Sequence, residues 1–407
     1  MKVAYRRKVS PSERIWLGLD NASNPFIAQL ILEGRGDIAF ERLKDATDEA
    51  SAANPGSRLI LKGSLSTCHW VDSGVTPRVR KVNGAAWDGY GPENAPFLRE
   101  QLPYWGPTCE VLWVEGPIPR LIFRASHGVM DGQGVLIWAE DILRSLRGEK
   151  PFGAFSTCTE PDLMNQFTEQ RREPYADKCI APTGKASNAE HTTLWRRLTI
   201  PGTVSNLFGK VGWVVAQSAW RYGEGVVRLV VPVDLRRRQP GLRSTANLWT
   251  VLYIDVTRDS TPDSINQSLW IQLRKKYDDM GFEGDGSGDR MPLKVIGLLG
   301  TMAEKINHGR GLYNASAVIS NIGHIDRNAF FTAEFATESA FFLTQRVYNA
   351  GCFIAFSGCS GREELTLSVP HALGTGNRFE RLFDDISRAL IPKSAPECHT
   401  ADLSSRS

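Results

Sequence analysis

No stretch of the 407-residue sequence approaches the ~18 consecutive apolar residues of a transmembrane helix. The basic N-terminus, Met1 to Trp16, has no apolar segment after it and does not read as a secretory signal. No two of the cysteines (Cys68, Cys109, Cys158, Cys179, Cys352, Cys359 and Cys398) have C-x-x-C spacing. No Cys/His cluster has the spacing of a tetrahedral zinc site, so no metal is expected. Reduced, packed thiols and a cytoplasmic location are the expectation. An excess of charge of one sign is also missing: Lys+Arg is 48, Asp+Glu 45, and the net charge +3. That balance argues against a dedicated nucleic-acid partner. No internal repeat of the ~20–50-residue kind is visible. What remains is a globular composition, 42% hydrophobic and 23% charged, which excludes a wholly disordered chain. The 11 Trp and 18 Phe fit a large core or an apolar channel through one. The length suits two domains of ~100–200 residues each, possibly three.

Periodicity predicts a buried strand at 26–33 and a helix over 38–52 with Asp37 as its N-cap. Strands follow at 58–65, 68–72, 77–82, 109–115 and 120–126, with 83–107 as loop. A helix over 134–147 places Val135, Ala139, Ile142 and Leu146 on one face. Residues 148–190 carry little periodicity and read as a linker or a helix with long flanks. Further strands are expected at 194–200, 226–233, 248–257, 315–321, 338–347, 351–357 and 364–370. Helices are expected at 203–221, 262–279, 291–307 and 377–391. The Gly- and Asp-rich segment 281–290 lacks the ligand order of a calcium loop and reads as a surface loop. The class is α/β in the broad sense, with many antiparallel strands.

The strongest local signal is Ser126-His127-Gly128-Val129-Met130-Asp131-Gly132, lying between a predicted strand and a predicted helix. Glycines there permit positive φ and close approach of a substrate to the backbone. A histidine held in such a turn, with an ordinary pKa of ~6.5, suits a general base near neutral pH. A structural or surface histidine fits the same spacing equally well. Asp131 either touches His127 or points away and anchors the loop through an arginine. The other histidines fall near strand or loop edges, where surface or satisfied histidines are the rule.

The run resembles the H-x-x-x-D-G signature of the chloramphenicol-acetyltransferase-like superfamily, which includes condensation domains of peptide synthetases and bacterial alcohol acyltransferases. The opening Arg7-Lys8-Val9-Ser10-Pro11-Ser12-Glu13-Arg14 is similar to the start of bacterial alcohol-acyltransferase-like members. Val231-Pro232-Val233-Asp234-Leu235-Arg236, followed by Ala246-Asn247-Leu248, looks like a further family segment, as does Ser320-Asn321-Ile322-Gly323. Three departures matter. Condensation domains usually carry two adjacent histidines, but here Ser126 holds the first position. The D-F-G-W-G motif of plant members is absent. Adenylation and carrier modules are lacking, so a free-standing acyltransferase is expected.

The resemblance implies two chloramphenicol-acetyltransferase-like lobes, 1–170 and 171–407. Each would be a mixed, largely antiparallel sheet with flanking helices, and an active-site tunnel would run between them. It implies His127 as general base, with Asp131, Gly132 and Arg236 supporting its loop. It further implies oxyanion or substrate contacts from among Asn247, Ser320, Asn321, His324 and His371. No permanently bound cofactor is expected. An acyl-coenzyme A or phosphopantetheine thioester would be co-substrate, and a small-molecule hydroxyl or amine the acceptor. An acyl or peptidyl carrier protein is a further partner under this reading. Two alternatives stay open: a carrier-dependent condensation or cyclisation enzyme, and a non-catalytic recruitment module.

Overall fold

The computed structural model describes residues 5–391 apart from 21–24, 64–66, 165–177, 188–189, 191, 277–290 and 345. The first part of the chain forms β1 (Arg6–Lys8), α1 (Pro11–Asp20), β2 (Ile27–Gly36), α2 (Phe40–Ala53), β3 (Leu59–Lys62), β4 (His69–Asp72), β5 (Arg78–Asn83), β6 (Cys109–Glu115), β7 (Arg120–Ser126), α3 (Gly132–Leu146) and α4 (Glu160–Met164). The rest forms β8 (Cys179–Ile180), β9 (Thr193–Pro201), α5 (Leu207–Trp220), β10 (Val227–Asp234), β11 (Trp249–Val256), α6 (Pro262–Arg274), α7 (Leu293–Arg310), β12 (Leu312–Tyr313), β13 (Ala317–His324), β14 (Phe335–Thr344), β15 (Phe353–Cys359), β16 (Arg362–Pro370), α8 (His371–Gly374) and α9 (Arg378–Leu390).

These elements build two principal mixed sheets with flanking helices. The first has the order β14-β2-β7-β6-β5, the second β11-β10-β13-β15-β16-β9. Most pairings are antiparallel, while β5–β6, β10–β13 and β13–β15 run parallel. Strand β2 is buried on both faces over its first eight residues, so it reads as a continuous apolar run rather than an alternation. Its Leu30 and Leu32 join the core under α2 and α3, while Ile31 packs on the opposite face with Trp87 and Trp195. Helix α3 buries the predicted stripe of Val135, Ala139, Ile142 and Leu146.

The predicted strands and helices are present with small shifts of their ends; the last residues of the helix expected at 262–279 lie outside the described residues, helix α1 was not predicted, and further details differ. Helix α2 begins after Ala39 without a side-chain cap, so Asp37 is not its N-cap. The loop at 83–107 contains a short 3-10 turn, Pro96–Arg99. The weakly periodic region contains the short α4 and β8, and the segment 281–290 lies outside the described residues. Strand β14 pairs with β2 from Phe335↔Gly36 to Thr344↔Ala28, so the first sheet takes its edge strand from the second part of the chain. The expected division at residue 170 is therefore crossed by one strand, and also by α7, which packs on α1. Among the described residues no helix is long and apolar enough to cross a membrane. The six described cysteines are free thiols, and five of them are buried.

Candidate active site

Strand β7 ends at Ser126, and the chain turns through His127 to Met130 before entering α3. The turn is tied down by the His127 N–H donating to the Phe26 carbonyl (2.8 Å) and the Val129 N–H to the Ser126 carbonyl (2.8 Å). Neither Gly128 nor Gly132 has positive φ. What glycine supplies there is space. A Cβ on Gly128 would stand 2.9 Å from Leu17 Cδ2, and one on Gly132 would stand 3.2 Å from Ile322 Cδ1.

The His127 ring is held from behind. Its Nδ1 lies 3.2 Å from Asn247 Oδ1. The Asn247 amide nitrogen donates to the His127 carbonyl (2.8 Å) and to Glu13 Oε1 (3.3 Å). The His127 carbonyl can only accept, which fixes the amide with its oxygen toward the ring. Nδ1 must then carry the proton, and Nε2 keeps its lone pair. Glu13 is fully buried, and its Oε2 accepts from Arg7 (2.7 Å), the Ser10 N–H (3.0 Å) and Trp70 Nε1 (3.1 Å). The indole ring of Trp16 stacks on His127 with centroids 5.2 Å apart. Burial lowers the proton affinity of His127 below that of an ordinary histidine, which keeps the ring neutral near pH 7.

Asp131 points away from the ring. One carboxylate oxygen caps α3 by accepting from the Gly134 N–H (2.7 Å) and accepts from Arg236 Nη2 (2.9 Å). The other accepts from Arg236 Nη1 (3.0 Å) and the Leu248 N–H (2.9 Å). Arg236 is buried and also donates to Asp234 (2.8 Å) and the Ser244 carbonyl (2.8 Å). The loop of His127 is thus clamped to the segment that carries Asn247.

A cavity of about 250 Å³ lies in front of His127, lined by both sheets. The first sheet and α1 contribute Trp16, Gln29 and Phe342, and the second sheet contributes Val230, Trp249 and Phe353, so most of the wall is apolar. Ser320 and Asn321 also line it, and Asn321 spends its side-chain oxygen on the Gly323 N–H (2.9 Å). Asn247 stands behind the ring and is not among the lining residues. His324 is exposed beside Gly358, and His371 pairs with Glu190 (2.8 Å), so neither lines this cavity. A larger recess of about 640 Å³ elsewhere on the surface is lined by ion pairs such as Arg197–Glu33 (2.6 Å) and Arg35–Glu338 (2.7 Å), and no histidine lines it. Among the described residues no group of three or more His, Cys, Asp or Glu side chains is placed to hold a metal.

Two residues of the site were not singled out from sequence, Glu13 and Trp16. A signal for Glu13 existed. Ser10-x-x-Glu13 has capping-box spacing, and the Glu13 N–H to Ser10 Oγ contact (3.4 Å) completes the reciprocal pair. Trp16 lies 111 positions before His127 in the chain, and no local pattern announces that contact.

No protein-family model matches the chain, and no curated protein matches its sequence. Solved structures do match. A starter condensation domain of rhizomide synthetase, a double mutant in complex with C8-CoA and Leu-SNAC, is 14% identical with a TM-score of 0.67, covering 95% of this chain and 94% of that one. Polyketide synthase associated protein 5 from Mycobacterium tuberculosis is 13% identical with a TM-score of 0.61, covering 96% and 99%. The epimerization domain from the third module of tyrocidine synthetase B is 11% identical with a TM-score of 0.60, covering 95% and 97%. At such identities the likeness is one of architecture, and over nearly its whole length the chain has the two-lobed fold of the condensation domains.

Proposed function

We propose that the protein is an acyltransferase that moves an acyl group from a thioester to a hydroxyl or amine of a small-molecule acceptor. The observation that carries this reading is the fixed tautomer of His127 on the wall of an apolar cavity between the two sheets. His127 Nε2 has the free lone pair that a general base needs. It takes the acceptor's proton as the oxygen or nitrogen attacks the thioester carbonyl. Collapse of the tetrahedral intermediate expels the thiol, without a covalent acyl-enzyme. Base catalysis of this kind contributes ~10²–10⁴-fold. Holding donor and acceptor together in one cavity supplies much of the rest. Asp131 and Arg236 act as a tie between the base loop and the second lobe rather than on the substrate.

The donor is an acyl-coenzyme A or carrier-bound phosphopantetheine thioester. The structural neighbour holding C8-CoA supports a coenzyme A thioester as the first choice. The walls contributed by Phe342, Val230 and Phe353 suit an apolar acyl chain or acceptor. The test is acyl transfer from a panel of acyl-coenzyme A thioesters to candidate alcohols and amines, followed by mass spectrometry. His127→Ala is expected to abolish turnover while the protein stays folded. Unchanged turnover would remove His127 as base. Turnover only with a loaded carrier protein would assign the chain to carrier-dependent condensation instead.

A further inference from the structure

Helix α7 turns its apolar side to solvent. A helix on the surface of a globular protein normally buries its apolar stripe and exposes its polar one. In α7 the buried side carries Leu293, Gly297, Glu304 and Asn307. Its two polar side chains are satisfied there. Glu304 accepts from Arg346 Nη2 (3.5 Å), and the Asn307 amide donates to the Asn349 side-chain oxygen. The outward side carries Val295, Leu298, Leu299, Met302 and Ile306, with Leu298 61% and Met302 51% exposed. At about 100° per residue, these five side chains fall within a single arc of roughly 100°. Lys294 and Lys305 border that arc on one side and Arg310 on the other, and all three are exposed. The single carboxylate of the helix, Glu304, faces inward.

An apolar stripe with a cationic border on each side suits a helix lying in the plane of a lipid surface. The apolar side chains enter the acyl region, and the long Lys and Arg side chains reach back to anionic headgroups. The same charges disfavour a second copy of the chain as occupant. A two-fold contact sets the same face on both sides, so cations would meet cations with no exposed carboxylate on either helix to pair them. We propose that α7 docks the protein on an anionic membrane surface, lying in the interface rather than crossing it. The helix is packed closely onto the body of the protein, because a Cβ on Gly18 of α1 would stand 2.8 Å from Ile296 Cγ2. Its inner side meets the wall of the His127 cavity. Arg346 and Tyr348 line that cavity, and the Tyr348 hydroxyl donates to the Gly300 carbonyl (3.4 Å). Docking therefore sets this wall one helix diameter, roughly 10 Å, from the lipid. It does not depend on the chemistry assigned to His127.

The experiment is flotation of the full chain with vesicles of phosphatidylcholine alone and of equimolar phosphatidylcholine and phosphatidylglycerol. The wild type is expected to float with the mixed vesicles, far less with phosphatidylcholine, and to be released as salt rises. The stripe variant Leu298→Gln/Met302→Gln should lower partition into mixed vesicles roughly 10²-fold. The border variant Lys294→Gln/Lys305→Gln/Arg310→Gln should lose about five-fold per charge, roughly 10²-fold in all. Both should keep the wild-type Tm within about 2 °C, because the replaced side chains are exposed. Trp105→Gln removes an exposed aromatic outside α7 and should bind as the wild type does. A wild type that stays with neither vesicle overturns the proposal. So does undiminished binding by the stripe variant, or an equal loss in Trp105→Gln. A wild-type dimer seen by light scattering without lipid, and dissolved by the stripe variant, would assign the face to a second copy and overturn it too.

Discussion

Replacing Asp131 by Ala removes a carboxylate whose two oxygens accept four hydrogen bonds, from Gly134, Leu248 and twice from Arg236. Three losses follow. The first turn of α3 loses its cap, which costs about 1 kcal/mol. The Leu248 N–H loses its acceptor. Arg236 is left buried without its bidentate partner, and breaking a buried ion pair in this way costs about 3–5 kcal/mol. The lower end applies, because Arg236 keeps Asp234 and the Ser244 carbonyl. The sum is about 4 kcal/mol. For a 407-residue chain unfolding cooperatively, an unfolding entropy of roughly 2.1 cal/mol/K per residue turns that into a Tm lowered by about 5 °C. Differential scanning calorimetry measures it directly. The double variant Asp131→Ala/Arg236→Met removes the stranded cation too, and should lie closer to wild type than the sum of the single variants. Turnover of Asp131→Ala below its Tm should also fall, because Leu248 adjoins Asn247, which holds the His127 ring. A Tm within 1 °C of wild type, combined with lost turnover, would refute the argument and give Asp131 a chemical role.

Two further predictions concern pH. Burial lowers the proton affinity of His127, and a protonated ring has no lone pair, so kcat/KM should fall only below the ordinary histidine value of ~6.5. A pH–rate profile whose acidic limb has its midpoint above that value would contradict the buried, neutral base. Glu160 is buried, and burial together with Glu13 lifts its carboxyl from 4.5 to about 7. The folded state therefore holds a proton that the unfolded chain releases, and stability is lost as pH rises through that window. Between pH 5 and 8 this group alone should remove roughly 2–3 kcal/mol. Glu160→Gln keeps an acceptor for the Ser12 N–H and should flatten that part of the dependence in urea unfolding. An unchanged slope would sink the assignment.

What the sequence made legible was local. The run from Ser126 to Gly132 joins a strand that ends and a helix that begins, and the spacing of His127 and Asp131 survives folding unchanged. Positive φ at its glycines did not survive, because positive φ and close packing leave the same letter in a sequence. Asp37 looked like a cap because Asp is a good one, yet α2 starts two residues later, where no side chain caps it. Strand β14 was legible as a strand, but its partner was not. Pairing Leu343 with Gln29 joins positions more than three hundred residues apart, and alternation along one strand says nothing about which edge it meets.

The same limit explains why Glu13 and Trp16 escaped notice while His127 did not. Histidine in a tight turn carries its chemistry in its own side chain. Glu13 matters only because Asn247, from the far lobe, reaches back to it while holding the His127 ring and carbonyl. The surroundings of His127 are therefore assembled from three distant segments, and its tautomer is set by an amide that belongs to the other lobe. The core tells the same story. The cluster that packs Leu30, Trp138 and Ile142 also contains Phe335, Ala340, Phe342 and Ala355. A chain ending near residue 170 would lose the partner of β2, the anchor of Arg236 on Asp131 and the oxygen that orients His127. The two sheets thus form one structural unit, and the cavity in front of His127 is lined by both of them.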